Sequence, residues 1–221
     1  MSRKVANKAI RQGGQSLIPR ADWCELKEIQ GRDPDVLGSP TMERAFQAVL
    51  KLHRPTHPIA LCSLCTTTRP YSAGKKWKAL RQMFGGACDL IVTSNGGVIP
   101  LPFETQFPYL NYDAHGEAEF DAAYIAKLGA RMDTFFRRHR YRYVMFMYRH
   151  NLRNARIAER LGPALKRDGV IEDFALLPTA AQYKQSQAER FHLSGYKMFP
   201  ELYPTMLRPV LEQVKTWRKA A

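Results

Sequence analysis

Cys65, Arg69, Lys75 and Lys76 fall within one short stretch, CTTTRPYSAGKKW (residues 65–77), directly after the apolar run PIALCSL. A thiol among cationic side chains is the composition of a reactive cysteine, because positive potential favours the thiolate, the nucleophilic form. The hydroxyls and amides of Thr66, Thr67 and Thr68 offer a second use, holding a phosphate where a helix begins. The plain alternative is a buried strand-end cysteine followed by capping threonines. A second stretch, SNGGVIPLPFE (94–104), sets Ser94 and Asn95 before the Gly96-Gly97 pair and ends on Glu104. Glycine opens backbone geometry closed to other residues, so Gly97 can bring amides against a flat ligand. Asn95 can donate and accept on a base edge, and Glu104 suits the amino and imino protons of a guanine-like ring. The third stretch, FPYLNYDAHGE (107–117), joins Tyr112 and other aromatics to Asp113 and His115. A stacking surface beside a proton-transferring group is what a pocket for an extruded base requires, although a core tyrosine next to a helix-capping Asp has the same composition.

Other candidates are weaker. His150, Asn151 and Arg153 can reach the same region from YRHNLRNAR (148–156). Cys62 and Cys65 form a C-x-x-C, but no second pair completes a ligand set, and three positions along a strand send two side chains to opposite faces. No metal and no cofactor is therefore expected, and the cysteines are expected as reduced thiols.

The charge balance points to a partner. Lys and Arg number 34 against 20 Asp and Glu, a formal net charge of +14. Segment 131–160 holds nine arginines and only Asp133 and Glu159 as acids. Arginine's fork matches phosphate oxygens, so Arg137, Arg138, Arg140, Arg149, Arg153 and Arg156, with Lys75 and Lys76, are the expected nucleic-acid contacts. No run approaches the roughly 20 apolar residues of a membrane span, and the N-terminus lacks the apolar core of a signal peptide. A cytoplasmic protein that does not contact membrane is the expectation.

The elements that must position these residues alternate. Apolar spacing predicts helices over 41–53, 75–84, 116–140, 152–169, 179–194 and 201–219, the fourth open to a break at Gly162-Pro163. Buried strands are predicted over 58–64, 88–94, 141–148 and 171–178. That order implies an α/β, three-layer αβα domain over 41–221 with a mainly parallel central sheet, preceded by a basic extension over 1–40. Ligands in such sheets bind outside the carboxyl ends of the strands, where the three stretches fall.

From Ser94 to Asp113 the residues read S-x-x-G-V-I-P-x-x-x-E-x-x-F-P-x-x-x-Y-D. This resembles the core domain of the archaeosine synthase alpha subunit, which transfers lysine onto the nitrile of 7-cyano-7-deazaguanine in tRNA. The family's preceding motif P-C-x-x-x-K-P-Y-x-x-S-x-x-H falls on Leu64 through Trp77, keeping Cys65, Pro70 and Tyr71. Arg69 stands in place of its lysine, Gly74 of its serine and Trp77 of its histidine, which separates this loop from lysine transfer. The resemblance implies a uracil-DNA glycosylase-like fold and an enzyme, transferase or hydrolase, acting on the 7-substituent of a deazaguanine base. It implies Cys65, Glu104 and Asp113 as catalytic groups and Thr66, Arg69, Tyr71, Ser94, Asn95, Gly97 and Tyr112 around the base, with an amine or water as second reactant. The family's long flanking regions have no counterpart here, so DNA, as in hypermodified bacteriophage genomes, is expected beside tRNA. The alternatives are a glycosylase-like or base-exchanging enzyme and a non-catalytic module that binds modified DNA.

Overall fold

The computed structural model of the chain describes residues 16–22, 24, 26–115, 122–148, 153–192 and 202–221. Two short strands, β1 (Gln30–Arg32) and β5 (Asp113–His115), pair in parallel apart from the main sheet. The main sheet is built from β2 (Ile59–Leu64), β3 (Asp89–Ser94), β4 (Gly97–Pro100), β6 (Tyr143–Met147) and β7 (Asp173–Leu177). Its order is β4-β3-β2-β6-β7, parallel except where β4 turns back on β3. The helices are α1 (Asp33–Gly38), α2 (Pro40–Leu52), α3 (Lys75–Phe84), α4 (Ala122–Arg138), α5 (Arg153–Arg167), α6 (Ala180–His192) and α7 (Pro204–Ala220).

The three-layer αβα arrangement follows from the strands' composition. β2 reads IALCSL and is buried from Ile59 to Ser63, the continuous burial of a strand covered on both faces. On β6 the two faces separate by residue: Tyr143 stacks on Trp217 of α7 at 5.1 Å, while Phe146, three positions on, meets Phe136 of α4 edge-on at 6.0 Å. Side chains an odd number of positions apart leave opposite faces of a strand, so α7 and α4 must cover opposite sides. α2 starts where Ser39 Oγ accepts from Met42 N at 3.2 Å with Pro40 in the first turn, and it buries Met42, Ala45, Phe46 and Val49.

Three expectations change. Residues 16–38, expected within an appendage, carry β1 and α1 and bury Leu17, Ile18, Ile29, Val36 and Leu37. Those apolar residues are spread over elements too short to show a period. α5 runs unbroken through Pro163, and Gly162 gives a reason: a proline disfavours helix before it partly by clashing with the preceding Cβ, which glycine lacks. The helix expected over 116–140 is described as α4 from Ala122 to Arg138, residues 116–121 lying outside the described ones.

Candidate active site

At the carboxyl end of β2, Cys65 N donates to Thr93 O at 3.1 Å, which holds the thiol beside the end of β3. Cys65 is half-buried, whereas Cys62, three residues earlier on the strand, is fully buried and its thiol is pushed up by that burial. The chain then passes Arg69 and enters a 3-10 turn, Tyr71–Ala73, before α3. This turn carries Tyr71 into the interior, where its hydroxyl bonds that of Tyr112. Tyr112 in turn donates to Ser94 Oγ at 2.8 Å, and the same oxygen accepts from Gly96 N at 3.0 Å. Arg69 lies over the Tyr112 ring, with Cζ 4.0 Å from the centroid, and its buried Nε has no hydrogen-bond partner among the described residues. Cys65, Arg69, Tyr71, Ser94 and Tyr112, drawn from all three stretches, thus form one cluster.

The cluster is electrostatically coupled. Burial first, then the Tyr112 phenol and the Cys65 thiol, push the Tyr71 phenol well above its ordinary value, against the pull of Arg69. Burial and then Cys65 raise Tyr112 in the same way. Both phenols therefore stay protonated at neutral pH and can donate, and ionisation of Cys65 is felt by both. Arg69 keeps its charge: burial opposes it, and Tyr112 and Tyr71 outweigh burial.

The remaining expected residues have other placements. Glu104 is buried and its Oε2 accepts from Ser72 N at 2.8 Å, so it clamps the 3-10 turn that carries Tyr71. Asp113 opens β5, paired with Gln30, and its exposed carboxylate joins no hydrogen bond among the described residues. Asn95 Oδ1 accepts from Tyr124 OH at 3.1 Å. Gly97 has φ 108° and is enclosed, since a Cβ there would lie 3.1 Å from Arg131 Nη1, so its backbone faces packed side chains. At Gly96 a Cβ would fall 2.8 Å from Met42 Cε and 2.9 Å from Tyr112 Cε1, so the missing side chain lets Tyr112 reach Ser94. Thr66 Oγ1 donates to Thr68 O at 3.4 Å.

Among the expected phosphate contacts, Lys76 turns inward: it is 1% exposed, and Nζ donates to Leu64 O at 3.0 Å. Its place was legible, because Lys76, Trp77, Leu80 and Phe84 form the buried face of α3. That ammonium sits against the carbonyl preceding Cys65. Lys75 is exposed. Arg137 is engaged by Asp133 at 2.9 Å and Asp168 at 2.8 Å, the second an acid from outside its own segment. Arg138, Arg140 and Arg156 are exposed. Arg156 lines, with Arg160, an apolar groove of about 470 Å³ between α4 and α5. Arg153 begins α5; Arg149, His150 and Asn151 lie outside the described residues.

Residues 42–188 match the family described as "Domain of unknown function (DUF5591)". The chain belongs to that family. No curated protein matches the sequence. A solved structure, the crystal structure of AF0587, a protein of unknown function, is similar at TM-score 0.48 and 14% identity, over 70% of this chain and 51% of that one. This DUF5591 chain thus spans about half the length of that protein. No helix among its described residues is long and apolar enough to cross a membrane.

Proposed function

We propose that the protein is a base-modifying enzyme that alters the 7-substituent of a 7-deazaguanine in DNA or tRNA, with Cys65 as nucleophile. The observation that carries this reading is the placement of Cys65 at the carboxyl end of β2, its N–H on Thr93 O, next to the hydrogen-bonded chain Tyr71–Tyr112–Ser94 under Arg69. The spacing from Ser94 to Asp113, similar to the archaeosine synthase core, supplies the substrate class.

On a nitrile substrate the chemistry balances without a redox partner. The Cys65 thiolate adds to the nitrile carbon, forming a C–S bond and a thioimidate, and the nitrogen takes a proton from a phenol of the pair. A primary amine or water then adds to the same carbon, and the proton it gives up restores the phenol. The C–S bond breaks, the thiolate leaves, and the product is an amidine or an amide. Arg69 and Lys76 provide the positive potential that favours the departing thiolate. Glu104 is a positioning residue in this scheme, acting through Ser72 on the turn that holds Tyr71. Asp113, exposed on β5, is assigned no step.

The test is base conversion followed by nucleoside mass spectrometry on deazaguanine-containing DNA and tRNA. Cys65→Ser is expected to lose conversion by at least about a hundredfold, the scale of removing a nucleophile. Full conversion by that variant would end the covalent reading. A second reading, a non-catalytic module for modified DNA, draws on the exposed Arg138, Arg140, Arg156 and Arg160. It predicts salt-sensitive binding with the nucleoside unchanged.

A further inference from the structure

The opposite end of the sheet, where β3 begins and β4 ends, holds a separate cleft of about 350 Å³, a volume within the usual range for small-molecule sites. Asp89, in its wall, and Ser94, in the tyrosine cluster, are the first and last residues of β3, about 16 Å apart by the rise of a strand. The cleft is lined by Leu52 at the end of α2, Arg54 and His57 from the loop that follows, Arg81 of α3, Asp89 and Phe103.

Asp89 is saturated from inside the protein. Thr56 Oγ1 and His57 Nδ1 bond one oxygen, the latter at 2.9 Å; Thr56 N at 2.9 Å and Tyr141 OH at 3.0 Å bond the other. Four donors on one carboxylate leave it no capacity for a ligand, and they fix His57 so that Nε2 is the ring nitrogen left over. Three carbonyls at the two helix ends that face the cleft are also drawn into hydrogen bonds. Arg54 Nη1 donates to Lys51 O at 2.7 Å and His53 O at 2.8 Å, and Gly85 N donates to Arg81 O at 2.9 Å. The Arg81 guanidinium is exposed and has no hydrogen bond or ion pair among the described residues. Two guanidinium groups against one carboxylate leave the cleft a net positive potential, and the His57 imidazole adds a donor. Beside them stand Leu52, 54% exposed at the rim, and half-buried Phe103.

We propose that this cleft binds a phosphomonoester carried on a flat apolar body, a ligand of the mononucleotide kind. Three cationic or imidazole donors match the terminal oxygens of a monoester, and Leu52 and Phe103 take the ring.

Titration calorimetry of the full chain at low salt, with phenyl phosphate and with inorganic phosphate, tests the site. Phenyl phosphate is expected to bind at least about tenfold more tightly than inorganic phosphate, and Arg81→Glu to weaken it at least about tenfold. Leu52→Ser is expected to narrow the gap between the two ligands. Lys215→Glu, at an exposed position of α7, changes the net charge equally and is expected to leave affinity unaltered. Four results overturn the proposal: no binding of phenyl phosphate, no preference for it over inorganic phosphate, equal losses in Arg81→Glu and Lys215→Glu, or displacement by an unphosphorylated oligonucleotide as effective as by phenyl phosphate itself. Phenyl phosphate carries no deazaguanine, so such a failure leaves the base-modification reading standing.

Discussion

Tyr112 is the side chain on which the candidate site converges. Its hydroxyl bridges Tyr71 and Ser94, and its ring carries Arg69. Tyr112→Phe keeps the ring and removes the bridge, leaving the buried Tyr71 hydroxyl without that partner. A loss of about 1–3 kcal/mol in urea unfolding is expected, the cost of an unmet buried hydroxyl, together with slower base conversion. Glu104 separates positioning from chemistry. Glu104→Gln still accepts from Ser72 N and is expected to retain both stability and conversion, whereas Glu104→Ala strands that N–H at a cost of about 1–3 kcal/mol. A Gln variant that unfolds normally yet fails to convert the base would give the carboxylate a catalytic part after all. The residue types of this site were legible in the sequence; their pairing was not. Tyr71 and Tyr112 are separated by 41 residues, and no local pattern says that two hydroxyls so far apart are hydrogen-bonded.

Helices and strands explain which parts of the fold showed in the sequence. β2, β3, β6 and β7 are short apolar runs bounded by turn residues, and their alternation with helices fixes a parallel sheet. β1 and β5 span only Gln30–Arg32 and Asp113–His115 and bond mainly to each other, so neither has a pattern to read. Gly162 shows how a packing constraint hides inside a helix. A Cβ there would fall 2.4 Å from Phe174 Cδ2, so the contact of α5 with β7 needs glycine. Gly162→Ala is expected to destabilise by about 1–3 kcal/mol through overpacking, despite alanine's better helix propensity; a thermal melt at or above the wild-type midpoint would refute this. Where α2, α4 and β6 meet, His53 stacks on Phe135 at 5.5 Å and on His139 edge-on at 4.8 Å. Burial, then His53, pushes His139 down to about 4, and burial lowers His53 as well. Both values lie below the unfolded value of about 6.5, so on acidification the unfolded chain takes up protons first. The stability these residues contribute is present above about pH 6.5 and lost as pH falls toward 4. His139→Phe is expected to flatten that part of the pH–stability profile measured by denaturant unfolding.

Over the whole molecule, a net charge of +14 is not a uniform coat. Composition alone treats every arginine of segment 131–160 as available to phosphate, but the fold sorts them. Arg131 is buried against Glu43 at 2.7 Å, Arg142 is held by Glu172 at 2.6 Å, and Arg137 by Asp133 and Asp168. The acids that claim Arg131 and Arg142, like Asp168, come from outside the segment, which is why local charge counting misses them. Among the described residues Arg138, Arg140, Arg156 and Arg160 remain exposed, and the last two lie one turn apart on the rim of the α4–α5 groove, on the same side of the sheet as Phe146 and Tyr148. If nucleic acid is the partner, binding measured across a salt series should fall log-linearly as counterions are released. Arg156→Glu with Arg160→Glu should weaken binding and lower the slope by about 1 for each phosphate no longer neutralised. Arg137→Ala, which removes a side chain already held by two carboxylates, should leave affinity and slope unaltered. Equal losses from Arg137→Ala and from the paired Arg156 and Arg160 variants would mean that total charge, and not this surface, governs the interaction.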